Sequence, residues 1–179
     1  MQNETIIAGF GGQGVLFAGK LLAHAGLHAG HEVTWLPSYG PEMRGGTANC
    51  TVIIADSEIG SPQVRNPRAA IVLNQPSLDK YEPLVQPGGY LVINSSLVNR
   101  KAKRTDIHVI SIPGTEDAEA IGDKRLTNMV LLGGLVKNTG FISLQAVEAA
   151  LKKESSEKQL KLLELNLKAL HKGAEYREK

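Results

Sequence analysis

The chain has 179 residues, of which 42% are hydrophobic and 21% are charged, and its formal net charge is +2. This length predicts a single domain over residues 1–179, and the balanced charge argues against a nucleic-acid or anionic-membrane partner. One cysteine, Cys50, excludes an intrachain disulfide framework, a four-cysteine zinc site and an all-cysteine iron–sulfur cluster. No apolar run reaches the roughly 18–20 residues of a membrane span, and no signal peptide is evident, so we expect a cytoplasmic protein.

Apolar runs of strand length alternate with helical patterns along most of the chain. The strand candidates are residues 5–8, 33–36, 51–55, 69–73, 90–93 and 107–112. Helices are expected at residues 15–27, 77–85, 126–137, 144–152 and 156–172. Between the third and fourth strands a helix is disfavoured, because Pro62 and Pro67 interrupt it. The pattern predicts a three-layer α/β fold with a mostly parallel sheet and a helical C-terminal tail.

The sequence GFGGQG at residues 9–14 satisfies the pattern G-x-G-x-x-G between a strand and a helix, which predicts a Rossmann-like first βαβ unit. Glycines let the backbone turn sharply, and the free N–H groups of a helix start favour an anion. A dinucleotide site also needs an acidic residue at the far end of the second strand. That end, residues 36–38, reads Leu-Pro-Ser, and Glu32 lies at the opposite edge, so NAD binding is disfavoured. An anion cradle, a partner surface and simple helix–strand packing stay open.

A second loop, SYGPEMRGG at residues 38–46, follows the second strand at the edge where open α/β sheets bind ligands. Arg44 could clamp a phosphate or a carboxylate with its planar guanidinium group. A network between Glu42 and Arg44 that only orders the loop is an equally good interpretation.

Three other features have simpler interpretations. His24 and His28 are four residues apart on a predicted helix, but no nearby cysteine or carboxylate completes a metal site, so ordinary helix-surface residues are favoured. The basic run at residues 100–104 lies between two strands and is interpreted as a solvated loop, with partner docking as the alternative. Cys50 adjoins an apolar strand and is expected to be a small buried residue.

At the two glycine-rich loops the sequence resembles a known family, the gamma subunits of 2-oxoacid:ferredoxin oxidoreductases. That family carries GxGGQGV near its start and SYGPExRGG after its second strand, matching IIAGFGGQGV at residues 6–15 and SYGPEMRGGTANCTVIIAD at 38–56. The resemblance continues through residues 94–96, 127–130 and 140–144, and it covers most of the chain.

The resemblance implies a subunit of a complex that oxidatively decarboxylates a 2-oxoacid, such as 2-oxoglutarate, with coenzyme A (CoA), giving an acyl-CoA, CO₂ and reduced ferredoxin. Thiamine diphosphate, Mg²⁺ and iron–sulfur clusters are then expected on or between the other subunits: alpha, beta and possibly a ferredoxin-like delta. This chain would hold no catalytic residue and no metal. It would complete the assembly and the active-site or CoA region, through Gly11, Gly12, Gln13, Gly14, Ser38, Tyr39, Glu42 and Arg44. The alternative is a stand-alone nucleotide- or CoA-binding protein, and an isolated chain could form a homodimer.

Overall fold

The structure, a computed structural model, describes residues 1–39, 46–154 and 160–178. Six strands are present in this part of the chain: β1 (Gln2–Phe10), β2 (Glu32–Tyr39), β3 (Thr47–Ala55), β4 (Ala69–Val72), β5 (Tyr90–Asn94) and β6 (His108–Ile112). The α-helices of the same part are α1 (Val15–His28), α2 (Gln75–Tyr81), α3 (Gly114–Ile121), α4 (Thr127–Thr139), α5 (Leu144–Glu154) and α6 (Leu160–Gly173). Short 3₁₀ turns at Glu82–Leu84 and Lys124–Leu126 follow α2 and precede α4.

All six strands form one sheet in the order β2-β3-β1-β4-β5-β6. The pairs β1–β4, β4–β5 and β5–β6 are parallel, whereas β3 is antiparallel to both of its neighbours, β1 and β2. Only β3 therefore runs against the other strands, which confirms the predicted mostly parallel α/β fold. The first βαβ unit differs from the adjacent-strand arrangement of a dinucleotide fold, because β3 lies between β1 and β2.

Helices cover both faces of the sheet, as the three-layer prediction requires. The larger core lies on one face, where α1 and α4 pack against the sheet and α5 and α6 pack on these two helices, with Ile7 and Ile110 among the buried strand residues. The smaller core packs α2 against the other face through Leu78 and Tyr81. Alternate residues of β1, such as Ile6 and Ile7, enter opposite cores, as expected for a strand covered on both faces.

Helix α6 crosses α4 at backbone contact distance. A Cβ atom on Gly133 would overlap the carbonyl group of Leu170, and one on Gly173 would overlap that of Val130. The C-terminal helix therefore packs on α4 rather than directly on the sheet. The predicted start of this helix, residues 156–159, lies outside the described residues.

Several element boundaries differ from the sequence prediction. The expected helix at 77–85 begins earlier, at Gln75, because Asn74 caps it: the Asn74 side chain accepts from the N–H of Ser77 at 2.9 Å. It ends at Tyr81 and continues as a 3₁₀ turn. Helix α3 was not predicted, because it is short and its first turn carries Glu116 and Asp117 rather than an apolar stripe.

Candidate functional site

The first predicted loop, residues 9–14, lies at the carboxyl end of β1 and leads directly into α1. Gly12 and Gly14 have φ values of 96° and 74°, a left-handed conformation that is strained for residues with a side chain. A Cβ atom on Gly14 would also overlap the side-chain amide of Asn128. Backbone conformation therefore requires glycine at both positions, and packing requires it again at Gly14.

The loop borders a topological switch point of the sheet. Strands β1 and β4 are parallel neighbours, but α1 leaves β1 over the larger core while α2 leaves β4 over the smaller one. Open α/β sheets bind ligands in the crevice that such a reversal opens beyond the carboxyl ends of the strands. Here the glycine loop follows β1, Asn74 lies just after β4, and the two are in contact.

A network of amide groups joins the glycine loop to the end of β4. The side-chain oxygen Oε1 of Gln13 accepts from the backbone N–H of Phe10 at 2.6 Å and from Nδ2 of Asn74 at 3.2 Å. Asn74 is only 2% exposed. The loop is thus fixed to the end of β4 by a residue 61 positions away along the chain.

A second buried asparagine holds the end of the loop. Asn128, in the first turn of α4 and 5% exposed, donates through Nδ2 to the carbonyl oxygen of Gly14 at 3.0 Å. Its Oδ1 accepts from the N–H of Met129 at 2.9 Å. Asn74 and Asn128 are site residues that sequence reasoning missed. The available signal was a polar residue directly after an apolar strand for Asn74, and one inside an apolar helix for Asn128.

The start of α1 is suited to an anion. Gly14 caps the helix without a side-chain hydrogen bond, and the first turn of α1 has no acidic residue. The first N–H groups of an α-helix have no partner within the helix, and its dipole favours negative charge at this end. The glycine loop therefore presents backbone donors at the start of α1.

On its other side, the glycine loop borders an apolar pocket of about 540 Å³. Phe10 and Phe17 are 36% and 42% exposed at its wall. Its lining residues are Phe10, Gly11, Gly12, Gly14, Val15, Leu16, Phe17, Gly46, Thr47 and Ala48. The N–H of Gly11 donates to the carbonyl of Gly46 at 2.9 Å, which ties the loop to the start of β3. The pocket can take an apolar segment of a ligand or of a partner protein.

The second predicted loop begins at the same edge of the sheet. Ser38 is exposed at the end of β2, and the backbone of Tyr39 pairs with Ala48 of β3. Because Thr47 pairs with Phe10, β3 brings the end of β2 to within two strand spacings of the glycine loop, roughly 10 Å. Glu42 and Arg44 lie outside the described residues.

The histidines of the first helix make separate contacts. The His24 ring contacts the carboxylate of Glu154 of α5, which ties α1 to that helix, and burial is the largest factor that lowers the pKa of His24. His31 lies 3.2 Å from the carboxylate of Asp56. Across the described ranges, no three His, Cys, Asp or Glu side chains come together as a metal site would need.

The basic run at residues 100–104 is an irregular loop with Lys101 and Lys103 exposed, as expected, but Arg100 and Arg104 are paired with acidic side chains. The Arg100 guanidinium lies 2.6 Å from Asp79 and 2.7 Å from Glu82, and that of Arg104 lies 2.5 Å from Asp106. Both arginine side chains are less than a quarter exposed. These cations order their own loop, because Asp79 and Glu82, which are distant in sequence, and the neighbouring Asp106 converge on them.

Cys50 is fully buried, which confirms the sequence interpretation. Its thiol donates to the carbonyl of Val15 at 3.5 Å, and burial raises its pKa to about 12. A cluster ligand must be a thiolate with companion thiolates nearby. The one cysteine of this chain therefore does not fit an iron–sulfur cluster.

A family model described as pyruvate ferredoxin/flavodoxin oxidoreductase matches residues 4–176, almost the whole chain. The chain belongs to this family. Both described halves of the site, the glycine loop and the end of β2, fall inside the match. No helix within the described residues has the length and hydrophobicity needed to cross a membrane.

Two curated relatives are similar to most of this chain. The chain is 37% identical over 175 residues to the ketoisovalerate oxidoreductase subunit VorA of Methanothermobacter marburgensis, covering 97% of this chain and 36% of the relative. It is 36% identical over 154 residues to the 2-oxoglutarate synthase subunit KorC of Methanocaldococcus jannaschii, covering 84% and 82%. The chain therefore spans about a third of the VorA relatives and most of KorC.

Solved structures share the fold. A gamma subunit of keto/oxoacid ferredoxin oxidoreductase from Geobacter sulfurreducens superposes with a TM-score of 0.85 at 32% identity, covering 98% of this chain and 95% of that one. A chain of the Magnetococcus marinus 2-oxoglutarate:ferredoxin oxidoreductase, solved with 2-oxoglutarate, CoA and succinyl-CoA, gives a TM-score of 0.87 at 24% identity. This chain covers 30% of that larger one, and the likeness concerns the fold.

Proposed function

We propose that this chain is the gamma-type subunit of a 2-oxoacid:ferredoxin oxidoreductase complex, forming one unit over residues 1–179. The complex would convert a 2-oxoacid, CoA and two oxidised ferredoxins into an acyl-CoA, CO₂, two reduced ferredoxins and a proton. Alpha and beta subunits, and a ferredoxin-like delta subunit where the complex has one, would hold thiamine diphosphate, Mg²⁺ and the clusters. Support comes from the family match and from KorC, a relative of similar length that is itself a named subunit.

Within the complex, the glycine loop would hold CoA at the junction with the other subunits. The observation that carries this assignment is the pairing of two surfaces on one loop: backbone donors at the start of α1 and the adjoining apolar pocket. CoA has the matching chemistry, because it joins phosphate groups to a long and largely uncharged pantetheine arm. Ser38, Tyr39, Glu42 and Arg44 would line the same edge, with Arg44 clamping a phosphate.

A stand-alone nucleotide-binding protein is less well supported. The second strand carries no acidic residue at its carboxyl end, and β3 separates that strand from β1. A dinucleotide fold places the two strands side by side, with an acid on the ribose.

Substitution of Arg44 tests the assignment. The chain is co-purified anaerobically with its partner subunits, and CoA-dependent reduction of a viologen dye is measured over a range of CoA concentrations. We expect Arg44→Ala to raise the KM for CoA by about tenfold, because a charge-assisted contact is lost, without changing the KM for the 2-oxoacid. Arg65→Ala, on the exposed loop before β4, is the matched control. An Arg44→Ala complex with unchanged assembly, turnover and KM for CoA would contradict the proposal.

A further inference from the structure

We propose that a polar pocket at the amino-terminal end of the sheet binds a zwitterionic α-amino acid, with Arg68 holding its carboxylate and with Asn3 and Asp56 holding its ammonium group. The pocket has a volume of about 300 Å³, which is at the lower end of the range for small-molecule sites. It lies at the opposite end of β1 from the glycine loop, roughly 23 Å away, since Asn3 and Phe10 are seven residues apart on this strand. Binding there would be independent of the proposed function.

The pocket forms where several segments of the fold begin or end. Its wall includes Asn3 near the start of β1, Ile54 and Asp56 around the end of β3, Arg68 directly before β4, and Phe141 just after α4. Because β3 is antiparallel to β1 while β4 is parallel to β1, the end of β3 reaches the edge at which β1 and β4 begin. The strand topology therefore brings together polar residues that are far apart in the sequence.

The Arg68 guanidinium is a cation of this pocket that the fold leaves without an acidic partner. It is half-buried and stacks on the ring of Phe141, with Cζ 5.3 Å from the ring centroid, and it makes no ion pair or hydrogen bond within the described residues. By contrast, Arg100, Arg104 and Arg125 each pair with a carboxylate. A planar guanidinium held against an aromatic ring keeps its N–H groups in a fixed orientation, and it binds a carboxylate through two parallel hydrogen bonds.

Asn3 supplies a second polar group that the fold leaves unpaired. It is 8% exposed, and its Oδ1 is buried without a hydrogen-bond partner within the described residues. Residues two and four positions further along β1, Thr5 and Ile7, lie on the same face of the strand, and Ile7 belongs to the larger core. A buried amide without a partner destabilises a fold. A ligand in the pocket that donates a hydrogen bond to Asn3 would compensate for this loss.

Negative charge also borders the pocket. The Asp56 carboxylate lies 3.2 Å from Nδ1 of His31 and 2.8 Å from the amino group of Met1, and its side chain is 59% exposed, which leaves it open to a further donor. Helix α4 ends at the pocket, with Thr139 and Gly140 in the wall. The last carbonyl groups of a helix have no partner within the helix, and this end carries partial negative charge. These groups attract a cation and repel a simple anion.

A ligand for this pocket therefore needs charges of both signs. Its carboxylate would bind the Arg68 guanidinium, and its ammonium group would donate to Oδ1 of Asn3 and to the Asp56 carboxylate. An α-amino acid carries both groups on one carbon atom, and its side chain would contact Ile54 and the Phe141 ring, the apolar part of the wall. A simple carboxylate would lack the ammonium contacts, and a simple amine would lack the contact with Arg68.

Three ligands with matched carbon skeletons test this division of charge. L-Valine carries both charged groups, isovalerate carries only the carboxylate, and isobutylamine carries only the ammonium group. Binding is measured by calorimetry to the full chain in the complex with which it co-purifies, without CoA or 2-oxoacid. Glycine, acetate and methylamine repeat the comparison without a side chain. We expect at least one of the two amino acids to bind about tenfold or more tightly than its single-charge analogues, because each analogue loses a charge-assisted contact.

Substitutions locate the binding in the pocket. Arg68→Met keeps an unbranched stem against Phe141 and removes the charge, whereas Asn3→Leu keeps the branched shape of the side chain and removes its polar atoms. We expect Arg68→Met to weaken amino-acid binding by about tenfold or more and Asn3→Leu by about fivefold. Arg65→Met makes the same change at an exposed residue of the same loop and should bind normally. Asn3→Leu should leave the melting temperature of the complex unchanged or raise it, because a buried unpaired amide is removed.

The possible results decide separate parts of the inference. If neither amino acid binds, or if either single-charge analogue binds as tightly as its amino acid, the assignment of a zwitterion is wrong. If Arg68→Met binds amino acids as Arg65→Met does, the ligand binds elsewhere and Arg68 has no role. An Asn3→Leu complex with a lowered melting temperature and normal binding would show that Asn3 serves the fold and not a ligand.

Discussion

Two irregular segments of this chain are held in place by opposite means. The segment that contains Arg100 and Arg104 is ordered by charge: Glu82, 3% exposed, pairs with Arg100 and accepts from the backbone N–H groups of Lys103 and Arg104. The glycine loop is ordered by neutral amides, through Gln13 and two buried asparagines. The basic segment is conspicuous in the sequence, yet its two arginines are already paired with acidic side chains of the same chain. The glycine loop keeps donors uncommitted, and such donors are what a ligand site needs.

Neutralising Glu82 should give the largest effect on stability. We expect Glu82→Gln to lower the free energy of unfolding by about 3 kcal/mol, because it leaves the Arg100 guanidinium without its most buried partner. Urea unfolding of the variant and of wild type measures the difference. Glu58→Gln, an exposed residue, is the control and should change stability by less than about 0.5 kcal/mol. If Glu82→Gln also weakened CoA binding, the two segments would not be independent.

The same variant has a defined pH dependence. Burial alone would raise the pKa of Glu82, but hydrogen bonds from Arg104, Arg100 and Lys103 outweigh it and lower the pKa below its usual range. A carboxyl group with a lowered folded-state pKa stabilises the fold above its unfolded pKa, about 4.3, and this contribution is lost as the pH falls through the folded value. The difference in the free energy of unfolding between wild type and Glu82→Gln should therefore become smaller below about pH 4. A gap that stays constant down to pH 2 would contradict this account.

A substitution in the glycine loop should lower the free energy of unfolding less than Glu82→Gln does, but it should impair CoA binding. We expect Gly14→Ala to lower the free energy of unfolding by about 2 kcal/mol, because the residue has a positive φ and its Cβ would overlap Asn128. Unlike Glu82→Gln, it should weaken CoA binding by the assembled complex. Gly60→Ala is the matched control, since a Cβ there meets no atom within 4 Å. Equal free energies of unfolding for the two glycine variants would show that the left-handed conformation at Gly14 does not require glycine for stability.

The smallest expected effect concerns Cys50, which lies beneath the start of α1. Its raised pKa, about 12, and complete burial keep the thiol neutral, and the thiolate is the reactive form. We expect no alkylation by iodoacetamide at pH 8 in the folded chain and full alkylation in 6 M guanidinium, measured by mass spectrometry. Rapid labelling of the folded chain would show that α1 opens away from β3.

The sequence predicted the six strands and α1, because their apolar runs and the glycine turn are local signals. It did not predict the reversal of β3, since hairpin and crossover connections can follow the same strand pattern. It missed the amide contacts for a related reason. Asn128 meets Gly14 across 114 residues of chain, and only the packing of α4 beside α1 brings them together. The positions of the glycines could be predicted from the sequence, but the asparagine side chains that hydrogen-bond to their loop could not.

The reversal of β3 also bears on how this family can diversify. Because β3 pairs with β2, the residues on either side of positions 40–45 lie on adjacent strands, with Tyr39 paired to Ala48. A segment anchored at adjacent points can change in length or composition without shifting the strands beneath it. Selection can therefore alter the residues around Glu42 and Arg44 independently of the sheet. Positions 40–45 are therefore where a segment exchanged between relatives, such as the VorA and KorC subunits, should disturb the sheet least.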